Sequence, residues 1–398
     1  MNGTNLVDLT NSFTTDMHGV LRVAATVGPL ATDEATGAAV VLRHGDVEAL
    51  AHDSRLNGIG LTLFDVMGIT DGPLRDWYGR LMFTTEGDYH RRVRSLVSRA
   101  FTPRSVGALQ TTAADMAREA VATAPERGGD LVAACAPLGT WLICQLLGVP
   151  QADVPVFSRW AQALSPVFFM MTPEQIAEAT AAVTELDDYV DDLTRRRAHD
   201  PGPDLITALL ASEAEGERLT HAETVTMIAN LLVAGHDTTG SQIPCSIFVA
   251  LQHQARLAGI NTDDAALASA VAETMRLEPS IPLIPRTAVA PIELHGTTIP
   301  TGAMVFLSIA AGCRDASVWN DPDDFEPDRF APPDAPKLLN FGAGTHFCLG
   351  TALAKLAVTE SVRAVLATTP PLRLTEQPSD IPWRQVLGRS PARLVVTS

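Results

Sequence analysis

The chain has 398 residues, 46% of them hydrophobic and 19% charged, with a formal net charge of −17. A chain of that length can bury a large core, and so acidic a balance argues against a phosphate-backbone partner, so no nucleic acid is expected. The apolar runs 228–234 and 305–311 are far too short to cross a bilayer and the first five residues are polar, so no membrane span or anchor is expected. Cys135, Cys144, Cys245, Cys313 and Cys348 are odd in number and form no Cys-x-x-Cys pair, which fits a reducing, cytoplasmic compartment.

In chain order, residues 40–43 read as a short strand, and residues 46–50 as a helix capped near Gly45 and Asp46. His90 and Arg94, four apart, would share one helical face, and Arg92 and Arg99, seven apart, would point outward from the opposite one. With Arg91 and Arg104 the outward pair forms a local basic cluster, which suits either an acidic docking partner or a merely solvated face. Residues 105–200 are rich in Ala, Leu and charged residues at helical spacing, interrupted at Pro150, Pro155 and Pro173. A long helical pattern follows over 219–251 and contains Ala234-Gly235-His236-Asp237-Thr238-Thr239-Gly240. Two glycines and three β-branched or acidic residues stand there where a good helix would have Ala or Leu, so local stability is given up for something else. Thr238 either works with Asp237 or only bonds back to a carbonyl one turn earlier. Glu273 and Arg276 stand at i and i+3 on one helical face, a pair that is often an exposed surface contact. Strand signals are confined to short runs near 292–294, 304–307 and 393–396, so a mainly α chain with small β-sheets is expected.

The run Phe341-Gly342-Ala343-Gly344-Thr345-His346-Phe347-Cys348-Leu349-Gly350 reads as a socket for one reactive thiolate. Its glycines remove side chains where backbone must lie close to a flat ligand. The helix-compatible stretch from Thr351 puts Cys348 near a helix N-terminus, where negative charge is favoured, and Phe341 would shield the sulfur. The bland alternatives are a packed structural cysteine and a Cys–His nucleophile built from His346 and Cys348.

This run resembles, almost letter for letter, the haem-binding loop of the cytochrome P-450 family, in which the cysteine is the axial iron ligand. Asp237-Thr238, Glu273-x-x-Arg276 and the run Phe325-Glu326-Pro327-Asp328-Arg329-Phe330 are similar to further signatures of that family, so the resemblance spans His90 to Gly350. It implies a mainly α cytochrome P-450 fold with small β-sheets in one domain over 1–398, with a β-containing part about 1–60 and a helical haem-binding body about 61–398. It implies haem b ligated by Cys348, with Phe341, Gly342 and Gly350 shaping the loop and His90, Arg94, Arg286 and His346 binding the propionates. Ala234 and Gly235 would leave room for dioxygen, while Asp237 and Thr238 would relay protons. Glu273, Arg276 and Arg329 would form a buried structural network. Pocket walls would come from Leu63, Phe168, Phe169, Asn230, Val233, Ala234, Leu283 and Ile284, with Asn230 orienting a substrate. The lead-in Thr84-Thr85-Glu86-Gly87-Asp88-Tyr89 departs from the family's commonest Asp-Pro-Pro form, which leaves the shape of that loop open.

The activity implied is that of a cytoplasmic, bacterial-type haem-thiolate monooxygenase. It would draw electrons from a ferredoxin, a ferredoxin reductase and NAD(P)H, and use dioxygen to hydroxylate, epoxidise or couple a largely apolar, medium-sized natural product of secondary metabolism. Three rivals differ in class. A peroxide-driven peroxygenase carries an arginine in place of the acid–alcohol pair, a non-catalytic haem sensor needs no proton relay, and a cysteine hydrolase needs no haem.

Overall fold

Helix starts are fixed by capping residues close in sequence. Thr172 and Thr220 each accept from the backbone N–H three residues on, and the side chains of Gln175 and Glu223 answer them, which completes two capping boxes. The structure, a computed structural model, describes residues 5–212, 217–385 and 387–397; the polar residues 1–4 lie outside them. The body is built from α1 (Gly87–Ala100), α2 (Gln110–Thr123), α3 (Leu138–Leu147), α4 (Val154–Leu164), α5 (Pro173–His199), α6 (His221–Gln252), α7 (Asp264–Leu277) and α8 (Thr351–Leu366). Of the prolines expected to interrupt helices, Pro155 and Pro173 instead lie in the first turns of α4 and α5, where a missing N–H breaks no bond. Pro150 separates α3 from α4. Pro244 lies inside α6, and its absent N–H takes one bond from the helix ladder at the carbonyl of Gly240.

The strands gather mainly at one side. The first eight in chain order are β1 (Leu6–Val7), β2 (Leu30–Asp33), β3 (Ala39–Val41), β4 (Leu56–Asn57), β5 (Leu283–Ala288), β6 (Ile292–Leu294), β7 (Thr297–Ile299) and β8 (Met304–Ser308), and four short strands after residue 372 pair as two separate ribbons. Of the first eight, all but β6 and β7 join one sheet of order β1-β2-β3-β8-β5-β4, while β6 and β7 pair as a hairpin. That hairpin turns on His295 and Gly296, both at positive φ, the geometry whose twist matches the flanking strands. Two expected boundaries shift. The first strand ends at Val41 and a helix (His44–Ala51) starts at His44, because Asp315 supplies the missing cap by accepting from His44 N at 2.9 Å. Of the run expected near 393–396, only Val396 enters a strand (Val396–Thr397), whereas Val395 makes a single bridge to Asp130.

The long helix α6 sits at the centre, packed by α3, α4, α5, α7 and α8, and the stretches 224–233 and 239–251, on either side of its middle, are buried almost all round. Its crossing with α3 is close because both helices lack side chains at the contact. A Cβ on Gly139 would meet Thr239 at 3.0 Å, one on Gly240 the carbonyl oxygen of Ala136 at 3.1 Å, and one on Gly235 the side chain of Ile143 at 3.3 Å. The bareness of Gly235 therefore serves helix packing, which corrects the expectation that it opens space for dioxygen.

Candidate functional site

The loop before α8 holds its thiol by backbone. Cys348 N donates to Phe341 O at 2.9 Å and closes the loop on itself. Gly344 has φ 66°, and a Cβ there would stand 2.2 Å from the carbonyl oxygen of Ala51, so only glycine lets the loop lie on the helix His44–Ala51. Phe341 packs against the core and carries Lys355 Nζ 5.7 Å over its ring. Gly342 faces Ile284, whose Cδ1 would be 3.5 Å from a Cβ there, and Gly350, the N-cap of α8, leaves its side-chain position 3.8 Å from Cys348 Sγ. Cys348 is exposed as a residue, unlike the other four cysteines. Protein crowded round its sulfur nevertheless raises the thiol pKa, against the Gly350 N–H, the Thr351 hydroxyl and Arg94, which lower it. Desolvation outweighs the helix start, and a metal cation on the sulfur is what would reverse the balance.

Beside this loop lies a cluster of bases short of an anion. His90, on α1, is 0% exposed and neither ring nitrogen has a hydrogen-bond partner. Burial pushes its pKa down to about 4, with His346 and Arg94 adding to the shift. The His346 ring is 4.5 Å from it, and His346 Nε2 meets Glu86 Oε1 at 3.0 Å. Arg286, two residues from Ile284 and so on the same face of β5, has a guanidinium that among the described residues bonds only the carbonyl of its neighbour Pro285. Arg94 donates to the carbonyl of Phe347. Burial lowers the pKa of both arginines. His90, His346 and Arg286 thus share one carboxylate, Glu86, while Arg94 faces the thiol, and a fully buried imidazole is left without a partner among the described residues. Unpaired buried donors of this kind call for an acceptor, and the paired carboxylates of a haem fit that need, with the thiol loop beside them. Glu86 escaped the sequence reading. It ends the loop before α1, and its Oε1 also accepts from Gly58 N at 2.7 Å, so it pins the unusual lead-in instead of capping the helix.

On α6, Ala234 is exposed, the turn before it is buried and residues 235–238 after it are half-buried. The Thr238 hydroxyl donates to Ala234 O at 2.7 Å and keeps its own lone pairs free to accept. Asp237 Oδ2 is buried without a partner. His236, between Gly235 and Asp237, reaches across to the hydroxyl of Thr140 on α3. On α7, Glu273 and Arg276 are both 0% exposed and face each other in two bonds of 2.6 and 2.7 Å. Arg329 Nε and Glu326 N complete Glu273 at 2.9 and 3.0 Å, and Arg276 also donates to the carbonyls of Cys313, Pro322 and Asp324.

The proposed pocket walls divide. Phe168 and Phe83 stand 5.2 Å apart, and Met171 N donates to Met67 Sδ at 3.2 Å, so the segment 168–171 is tied to the end of the short helix Thr62–Val66 that carries half-buried Leu63. Phe169 is 41% exposed. Ile284 faces the thiol loop, but Leu283, on the opposite face of β5, packs with Val40, Leu42 and Ala310 away from it, a consequence of strand alternation. Val233 is buried in the main core. Asn230 is corrected as well: its Oδ1 accepts from Met82 N at 3.0 Å, so it ties chain to chain and that oxygen is not free to orient a substrate. Arg92 does not point outward. It binds Glu223 at the start of α6 and lies 3.5 Å from Glu217, whereas Arg99 is exposed.

The family model described as Cytochrome P450 matches residues 266–368. Luteothin monooxygenase of Streptomyces thioluteus is 32% identical over 354 residues, covering 88% of this chain and 86% of that protein. Nocardicin C N-oxygenase of Nocardia uniformis subsp. tsuyamanensis is 33% identical over 368 residues, covering 90% and 89%. The solved structure of CalO2 superposes with a TM-score of 0.87 at 26% identity over 96% of each chain. No helix among the described residues is long and apolar enough to cross a membrane.

Proposed function

The chain belongs to the cytochrome P450 family and is a P450 monooxygenase, an oxidoreductase with a haem-thiolate cofactor, and on that premise we propose that its single domain over 1–398 holds haem b on Cys348 and oxidises a largely apolar natural product. The observation that carries this reading is the pairing of a backbone-closed thiol loop with four bases short of an anion. When bound, the haem supplies a thiolate-ligated iron able to activate dioxygen.

The residues of the chain supply the rest. His90, Arg94, Arg286 and His346 take the propionates, which gives the unpartnered ring N–H of His90 an acceptor. Phe341 and Ile284 keep water from the sulfur side. Asp237, whose Oδ2 is buried and unpartnered, and the Thr238 hydroxyl, once it leaves Ala234 O, relay protons toward the exposed side of α6 at Ala234. Glu273, Arg276 and Arg329 fix the segment that leads to the thiol loop. The peroxygenase reading draws no support from this site, since an acid and an alcohol stand where an arginine would be needed.

Electrons come from NAD(P)H through a ferredoxin reductase and a ferredoxin. Relatives named for luteothin and nocardicin C support a substrate from secondary metabolism, and the walls around Leu63, Phe168 and Ile284 are apolar, which suits hydroxylation, epoxidation or oxidative coupling of a medium-sized molecule. Five free cysteines fit a cytoplasmic location. Reduced protein under carbon monoxide is expected to absorb near ~450 nm, as a thiolate ligand requires, and Cys348→Ser to lose that band. A mutant that keeps it removes Cys348 as the ligand. Screening compounds for a low-spin to high-spin shift then identifies the substrate class.

A further inference from the structure

We propose that His236 is a positioning residue for Asp237, turning a ring N–H toward Oδ1 so that Oδ2 is the oxygen left to carry a proton to Thr238. This rests on the reading of Asp237 and Thr238 as the proton-delivering pair. The close α3–α6 crossing made by Gly139, Gly235 and Gly240 brings Thr140, 2% exposed, against His236 Nδ1. A buried hydroxyl must spend its proton on an acceptor, and Nδ1 is the partner Thr140 has among the described residues. If the hydroxyl donates to Nδ1, the ring proton sits on Nε2, the nitrogen facing Asp237 Oδ1 at 3.9 Å. The opposite tautomer would turn a lone pair toward a carboxylate, which is repulsive.

Two further features support the neutral donor. Burial lowers the His236 pKa, with Asp237 opposing, and Arg384 from the strand Trp383–Gln385 lowers it as well. At 3.9 Å the contact with Oδ1 attracts without being a hydrogen bond, so the carboxylate is biased in orientation yet free to turn. Oδ2, by contrast, is sealed and unpartnered. A histidine that served only to pack α3 on α6 would have no need of a fixed tautomer.

The test uses holoenzyme with 15N-labelled histidine in the diamagnetic ferrous carbon monoxide form. His236, assigned by loss of its signals in His236→Gln, is expected to show an unprotonated Nδ1 and a protonated Nε2. Thr140→Val should redistribute that proton, while Thr140→Ser should keep it in place. A wild-type ring protonated on Nδ1 overturns the proposal, and so does an unchanged tautomer in Thr140→Val. Coupling is read with ferredoxin, ferredoxin reductase and NADPH, and 7-ethoxycoumarin as an apolar probe, as the share of electrons not lost as hydrogen peroxide. That share is expected to fall about tenfold in His236→Leu, below the loss for a direct proton donor, and to return to within about twofold in His236→Gln, which keeps an N–H donor. Thr238→Ala separates the two levels. If it uncouples and His236→Leu does not, the inference about His236 fails alone; if Thr238→Ala leaves coupling intact, the underlying relay fails and takes the inference with it.

Discussion

The hydroxyl of Ser280 donates to the backbone carbonyl of Thr238 at 3.3 Å, so the residues just after α7 are fastened to the turn of α6 proposed to deliver protons. The tie is doubled one turn on, where Ser280 N donates to Gln242 Oε1 and Gln242 Nε2 to Glu278 O, both at 3.0 Å. These bonds brace α6 just ahead of Pro244, the point where its own ladder lacks a bond. Ser280→Ala is expected to lower unfolding stability by ~1 kcal/mol and to raise peroxide release. Gln242→Leu, which strands a buried N–H and a buried carbonyl, should lower it by ~1–3 kcal/mol. Denaturant midpoints and peroxide yields check both, and equal stability of Gln242→Leu and wild type would show that the brace carries no weight.

Glu273 is expected to be indispensable to the fold. It is fully buried and answers Arg276, Arg329 and the N–H of Glu326. Glu273→Ala leaves two guanidinium groups without their carboxylate, a loss of ~3–5 kcal/mol for a broken buried pair. Expression should give little holoprotein. Full haem occupancy in that mutant would mean that backbone carbonyls suffice to hold the arginines, those of Cys313, Pro322 and Asp324 for Arg276 and those of Asn320, Asp321 and Asp324 for Arg329.

How far the chain disclosed this arrangement depends on the range of each contact. The thiol loop, the long helix 221–252 and the Glu273–Arg276 pair were legible because their chemistry lies within a few residues of sequence. Gly235, Asn230, Leu283 and Arg92 were misplaced because their partners Ile143, Met82, Leu42 and Glu223 sit on other elements, and helical or strand periodicity says which face a residue is on but not what that face meets. Glu86 was missed for the same reason: its partner His346 is 260 residues away.

Acid stability should depend on Glu278. This carboxylate is buried, which raises its pKa, but His18, Arg389 and Arg314 outweigh that and bring it to about 2. Its folded pKa lies below the unfolded value, so its contribution is complete above an unfolded carboxylate pKa of about 4.3 and is lost as pH falls from there toward 2. Wild-type protein should therefore lose stability steeply between about pH 4.3 and 3. Glu278→Gln should start less stable at neutral pH and decline less over that range. Parallel curves from denaturant melts of the two proteins would contradict the assignment.

Electron delivery is expected to separate Arg99 from Arg92. Arg92 bonds Glu223, which also caps α6 by accepting from Thr220 N at 2.8 Å, and its guanidinium lies 5.6 Å from the Tyr89 ring. It links α1 to α6, and Arg92→Glu should lower thermal stability. Arg99 is exposed and has no ion-pair partner among the described residues, so it can meet an acidic ferredoxin on the side of α1 away from His90. The Debye length is only about 8 Å at 0.15 M salt, so distant acidic residues are screened while a contact charge still acts, and the net charge of −17 does not prevent docking. Arg99→Glu should slow reduction by ferredoxin far more at low salt than at high salt, with stability and spin-shift titrations unchanged. Arg92→Glu should do the reverse, reducing stability with a smaller, salt-independent effect on reduction. Stopped-flow reduction across a salt series decides the matter: rates for Arg99→Glu that match wild type at low ionic strength would remove this face of α1 as the docking site and leave the haem assignment untouched.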